Sequence, residues 1–430
     1  MATSPILSRF DRMRQQHQCA DKRHADILLI CTIAAGGGDI TFSSLAAAAL
    51  SSLPFVNLSV VCVAQASRDP TSAATFLLPL LPPGVPLLGT FSRGASNSVA
   101  PAPLPGGAPP PPAPPPFTAV VQGPLHLFDG AEEALVGLGL PCGAAAPAFL
   151  CLREYGQQRF LPPSAPPRVV HACGGLSFGE WGLWASPVPL AAALAAPRPG
   201  TFVGHFRTAA HGAQLGRLVA SVLLLASAEG GAAAEGAREA VVVAPEGSHG
   251  ALLEGLAGHP GVARMEGGGG PRLLLAPAAA GAQPLPLRVE AAPLLPRPQF
   301  LEALAGCDGA LVTGDSSLGE ALAFSARSGL PFLYSVEGHK IFLAEALAAS
   351  TGAAPLVRRF WAFCEGGGGS GGGAPAEWAA LLEELRSGGE PPLRALRGAF
   401  RAWGAALLRE RGTLGARLSA WAAAVAASPQ

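Results

Sequence analysis

Three short stretches carry residue types able to do chemistry. Gly36, Gly37, Gly38 and Asp39 follow the apolar run DILLICTI at 26–33. Glycine lets the backbone turn tightly and approach a bound group, and a helix behind it would offer free amides and a partial positive end. Asp39 then suits two tasks, capping that helix or serving as general base at a cleft. Gly247, Ser248, His249 and Gly250 follow the run EAVVVAP. Their exposed amides suit a diphosphate, or they simply reverse the chain. Gly314, Asp315, Ser316, Ser317 and Glu320 follow GALVT. Ser317 and Glu320 have the S-x-x-E spacing of a capping box; alternatively Glu320, in the first helical turn, accepts hydrogen bonds from a ribose diol. Beyond Tyr334, His339 and Lys340 open a further helix, facing either phosphates or solvent.

These stretches are placed by α/β units. DILLICTI and VNLSVVCVA read as buried parallel strands flanking a helix over ITFSSLAAAAL. GPLHLF, AFLCL and RVVHACGG continue the apolar runs. A second series restarts at EAVVVA, which reads as its opening strand, and continues through RLLLAPA, LRVEAAPL, GALVTG and LPFLYSV. The predicted fold is α/β, two Rossmann-like domains facing a cleft, with a helical C-terminal tail. The expected boundaries are an extension at 1–25, an acceptor-side domain at 26–199, a second domain at 200–375 and helices at 376–430. The proline-rich insert at about 100–117 is expected to stay out of the sheet, and CEGGGGSGGGAPAEW to act as a flexible tether.

Lys plus Arg and Asp plus Glu are 29 each, so no general basic field exists to hold nucleic acid. An anionic ligand must be gripped locally. The eight cysteines form no CxxC pair, which predicts no zinc and a reducing, cytoplasmic compartment. Cys31 and Cys62 read as small buried hydrophobes. No spacing among His171, His205 and His211 suggests a ligand set. The best membrane candidate, LGRLVASVLLLASA, is short and holds Arg217, so no transmembrane segment is expected. In HACGGLSFGEWGLWASP, Trp181 and Trp184 read as packing residues or as an acceptor surface.

The order of the later loops resembles the nucleotide-sugar-binding domain of GT-B glycosyltransferases, especially the MurG-like group. That group has a G-S-x-G-A loop after its domain's first strand, matched by Gly247, Ser248, His249, Gly250 and Ala251. A G-x-x-[ST]-x-x-E turn follows, matched by Gly314, Ser317 and Glu320, and then a proline-led strand and a His-Lys helix start. The match covers roughly 239–345. The resemblance implies that Ser248, Gly250, Ser316 and Ser317 hold a diphosphate and that Glu320 holds a ribose. The first loop departs from that group by carrying Asp39 where a His is expected. GGGDIT is closer to the bacterial protein-arginine rhamnosyltransferases, although their second loop has R-G-E-D-S and this chain has T-G-D-S-S.

The resemblance implies transfer of a sugar from a nucleotide-diphosphate sugar to an unidentified acceptor, inverting, with Asp39 as base. No cofactor and no metal are expected. A sugar-nucleotide 2-epimerase of the same fold and a non-catalytic binding or scaffold protein are the alternatives.

Overall fold

A computed structural model describes residues 24–34, 37–65, 68–94, 98–109, 111–112, 114–143, 146–153, 168–174, 181–184, 200–206, 208–209, 211–228, 239–266, 272–278, 283–293, 295, 297–335, 346–347, 349–351, 354–366 and 373–428. Gly36, His339, Lys340, most of the 1–25 extension and the stretch 185–199 lie outside the described residues. The chain divides into two compact units, Met1–Ala185 with Arg411–Gln430, and Ser186–Glu410.

In the first unit, β1 (Ala25–Ile33) is followed by α1 (Gly37–Ser51) and β2 (Val56–Gln65). Then come α2 (Pro70–Leu77), β3 (Leu87–Arg93), β4 (Val99–Ala102), β5 (Ala119–Gly123), α3 (Ala131–Gly137), β6 (Ala148–Arg153) and β7 (Val169–Cys173). The sheet order is β4-β3-β2-β1-β5-β6-β7. All neighbours are parallel except β3 and β4. β1 is central and buried on both faces, as its unbroken Ile/Leu run predicts. Strand order reverses between β1 and β5, and ligands of such sheets gather at that reversal, beyond the carboxyl ends.

Residues 100–102 correct the expectation for the proline-rich insert, because they pair with β3, Pro101 opposite Phe91. β4 is an edge strand, where a proline's missing N–H can face solvent. The Trp residues pack: Trp181 and Trp184 are buried, and the Trp184 ring lies 4.8 Å from that of Phe42 on α1. Only glycine fits at 174, where a Cβ would collide with that indole.

The second unit opens on β8 (Thr201–His205), then α4 (His211–Ala228), β9 (Ala240–Pro245) and α5 (His249–Ala257). β10 (Val262–Glu266), β11 (Arg272–Pro277) and β12 (Leu285–Ala292) follow, then α6 (Arg297–Gly306), β13 (Gly309–Val312), α7 (Asp315–Ser328) and β14 (Phe332–Tyr334). The order is β10-β11-β12-β9-β8-β13-β14, with β12, β9, β8, β13 and β14 parallel. EAVVVA therefore holds the second strand of this unit, not the first. β8 went unread because Gly204 and His205 interrupt its apolar residues; conversely GPLHLF, read as an apolar run, contributes only Gly123 to a strand, the end of β5.

Later in the chain come α8 (Pro355–Glu365), α9 (Gly373–Ser387), α10 (Pro392–Arg411) and α11 (Leu414–Ala427). The expected tether is shorter than read, since α8 runs through Cys364 and Glu365 and α9 already begins at Gly373. The last helix returns to the first unit and packs on α1. Its entry is pinned by two backbone bonds, Leu183 N–H to Gly412 O at 3.0 Å and Leu414 N–H to Leu183 O at 2.9 Å. Gly182 (φ 87°) and Gly412 (φ 70°) both sit in the left-handed region that this close passage requires.

Candidate functional site

In the second unit the strand order reverses between β8 and β13. α7 begins there, with Gly314 as its extended N-cap (φ −95°, ψ 151°). The Ser317 hydroxyl donates to Gly314 O at 2.8 Å and accepts from Gly314 N–H at 3.0 Å. This corrects the capping-box expectation. Ser317 is the third helical residue and reaches back to a glycine cap, so it does not cap the helix for Glu320. Glu320 accordingly lies in the second turn rather than the first.

Thr313, Asp315, Ser316, Ser317, Glu320 and Ser335 are all buried around this turn. The Tyr334 hydroxyl, ending the neighbouring β14, donates to Asp315 Oδ1 at 3.5 Å. Two carboxylates and four hydroxyls withdrawn from water in one place are expensive unless hydrogen-bonded. A helix that needed only a start would not require them.

The 246–248 turn lies on the same carboxyl edge, one strand from β13, with β8 between. Right-handed connections send α4 and α5 to one face and α6 and α7 to the other, in keeping with the packing of α4 on α5 and of α6 on α7. The two glycine turns thus share an edge but flank the end of β8 rather than lying side by side. Gly247 has φ 80°, and a Cβ at either Gly247 or Gly250 would meet open space. Ser248 is buried, and its hydroxyl donates to Pro245 O at 2.6 Å, so it holds its own turn. Behind it α4 and α5 touch through glycine: a Cβ at Gly212, Gly216 or Gly255 would strike the facing backbone.

In the first unit, Asp39 is not an N-cap. It is the third residue of α1, buried, and its Oδ2 accepts from Ala34 N–H at 2.8 Å across the turn. Gly37 and Gly38 are the first two helical residues rather than a loop ahead of the helix. The opposite side of this strand-order reversal is the loop after β5. Thr32, near the end of β1, fixes it from one side: its hydroxyl donates to Leu125 O at 3.0 Å and accepts from Leu125 N–H at 2.7 Å.

Sequence spacing missed one cluster. His126, Cys151 and His171 offer ligand atoms all within 4.8 Å of one another. They come from the β5 loop, β6 and β7, so only sheet register brings them together. Burial pushes the Cys151 thiol up, against a lowering hydrogen bond from Gln122, and burial pushes His171 down, with His126 adding to the effect. Cys31 and Cys62, side by side on β1 and β2, are free, buried thiols whose burial raises them, Cys62 to about 12; they fit the inert apolar role expected for them.

Two Rossmann-like units in one chain, with the last helix returned to the first, make this a GT-B-type fold. No protein-family model matches the chain, and no curated protein matches it. Among solved structures, the chain is similar to one described as the structural basis for EarP-mediated arginine glycosylation of translation elongation factor EF-P. The identity is 16%, covering 91% of this chain and 96% of that one, with a TM-score of 0.41. It is also similar to UGT2 of Phytolacca americana complexed with UDP-2-fluoro-glucose and pterostilbene, at 12% identity over 92% and 98% of the two chains, TM-score 0.43. A putative UDP-N-acetylglucosamine 2-epimerase from Listeria monocytogenes is similar at 12% identity over 86% and 98%, TM-score 0.38. Among the described residues, no helix is long and apolar enough to cross a membrane.

Proposed function

We propose that the chain is a glycosyltransferase that takes a sugar from a nucleotide-diphosphate sugar and passes it to an acceptor. The observation that carries this reading is the buried polar set at the β8/β13 reversal, with Glu320 set behind the first turn of α7. Glu320 accepts hydrogen bonds from the ribose diol. The amides that open α7, helped by Ser316, meet the diphosphate and its growing charge as the sugar leaves. The 247–250 turn adds amides from the far side of β8, and His339 and Lys340 stand further along the chain as phosphate contacts.

Asp39 is the general base. Its carboxylate takes the acceptor's proton while the acceptor atom bonds to the anomeric carbon and the nucleoside diphosphate departs. One such in-line displacement inverts the anomeric centre. The domain organisation that goes with this reading is 26–199 on the acceptor side, 200–375 on the donor side and helices at 376–430, in a cytoplasmic protein.

The test is a thermal-shift panel of nucleoside diphosphates and their sugars, on the wild type and on Glu320→Gln. A donor that raises the wild-type melting temperature by mass action, and the variant's less, supports the assignment. If no nucleotide sugar moves the wild type, the assignment fails. A donor consumed with no acceptor present would instead support the epimerase alternative.

A further inference from the structure

We propose that His126, Cys151 and His171 form a binding site for one zinc-type divalent ion in the first unit, independent of the glycosyltransferase reading. Gln122, Cys151 and His171 are register partners on the adjacent parallel strands β5, β6 and β7, so their side chains stand in one row on one face. His126 reaches that row from the loop after β5, and the three ligand atoms lie within 4.8 Å of one another. Tetrahedral zinc, with bonds of about 2.0–2.3 Å, sets its ligand atoms about 3.4–3.6 Å apart. A contraction of roughly 1 Å, within the reach of two imidazole side chains, closes the site. Two imidazoles and a thiolate are the donor set that suits zinc rather than magnesium or calcium.

The surroundings have the form that metal ligands need. His126 holds Nε2 against Asp129 Oδ1 at 2.8 Å. A carboxylate on one imidazole nitrogen orients the ring and leaves Nδ1 for the ion. Gln122 is fixed from both sides by Phe128, its Oε1 accepting from the backbone N–H at 2.9 Å and its Nε2 donating to the carbonyl at 3.2 Å. That orientation aims the same amide nitrogen at Cys151 Sγ, 3.2 Å away, where it supports a thiolate. The loop bearing His126 and Asp129 is thus held by Gln122 at one point and by Thr32 at another. Cys151 and His171 are buried, while the His126 side chain is 27% exposed, which gives the ion an entry and leaves the fourth position to water.

The experiment uses the full chain, stripped with a chelator and then reloaded with zinc or cobalt(II) alone. The expected result is one zinc per chain after gel filtration, a near-ultraviolet thiolate-to-cobalt band, and a zinc-induced rise in melting temperature. Cys151→Ser should remove the cobalt band. His126→Asn alters a partly exposed loop residue, so its metal-free melting temperature should match the wild type while its zinc affinity falls at least tenfold. Zinc well below one per chain, a cobalt spectrum without the thiolate band, or a His126→Asn chain that binds zinc as the wild type does would each overturn the site.

Discussion

The carboxylate of Asp39 accepts a hydrogen bond from the amide of Ala34 at 2.8 Å, so the residue assigned as base also closes the turn between β1 and α1. The two roles separate experimentally. Asp39→Asn keeps an oxygen for Ala34 but has no basicity. Turnover should fall by about 100-fold or more, with donor affinity and melting temperature near wild type. Asp39→Ala should lose the turn bond as well, about 1 kcal/mol of stability. Wild-type turnover in Asp39→Asn would leave Asp39 a turn residue only.

Ser317 and Glu320 should part company. Ser317 is bonded twice to Gly314, so Ser317→Ala should lower stability by about 1 kcal/mol with donor affinity nearly unchanged. Glu320→Ala should weaken nucleotide-sugar binding by about 10- to 100-fold, the range for hydrogen bonds to a charged group. Calorimetric titration of both variants decides, and equal affinities would remove Glu320 from the donor site.

Gly250 faces open space in the first turn of α5, so Gly250→Ala should fold normally. If the 247–250 turn meets the diphosphate, the added methyl should reduce donor affinity severalfold; unchanged binding would exclude that turn. Gly216→Ala is the contrasting case, because its Cβ would lie 2.8 Å from Leu256 N. It should destabilise by about 1–3 kcal/mol in denaturant unfolding.

His259 makes stability depend on pH. It is buried, accepts at Nδ1 from Gly261 N–H at 3.0 Å, and so carries its proton on Nε2, 3.1 Å from Ser221 Oγ. The rings of Trp378 and Phe363 pack edge-on to it. Burial first, then the nearby Arg217, pushes its pKa down to about 3. Above pH 6.5 the imidazole is neutral in both states and adds no slope. As pH falls from about 6.5 towards 3, the unfolded chain takes a proton that the folded chain refuses. Stability should then drop by a little over 1 kcal/mol per pH unit. His259→Gln should flatten that part of the profile relative to wild type; an unchanged slope would assign it to other groups.

Strands such as β1 were legible, with the helices after them, because burial on both faces of a parallel sheet demands an unbroken apolar run. Elements whose apolar run is interrupted were not, whereas β13 and β14, shorter but unbroken, were. β8 occupies the centre of its sheet with five residues, and β4 recruits Pro101 because an edge can forgive a missing donor. The helix starts were misplaced by three residues for the same reason in both units: Asp39 and Ser317 look like caps by type, yet each sits at the third position and reaches back.

By itself the sequence determined two α/β halves, a helical tail, and glycine-bearing turns with Asp39 and Glu320 beside them, since composition and period decide which segments can be buried and which must turn. Tertiary structure alone decided that the final helix returns to the first unit, that the two glycine turns flank β8, and that His126, Cys151 and His171 meet. Those outcomes depend on strand order and register, which join residues far apart in the chain, and no local spacing encodes them.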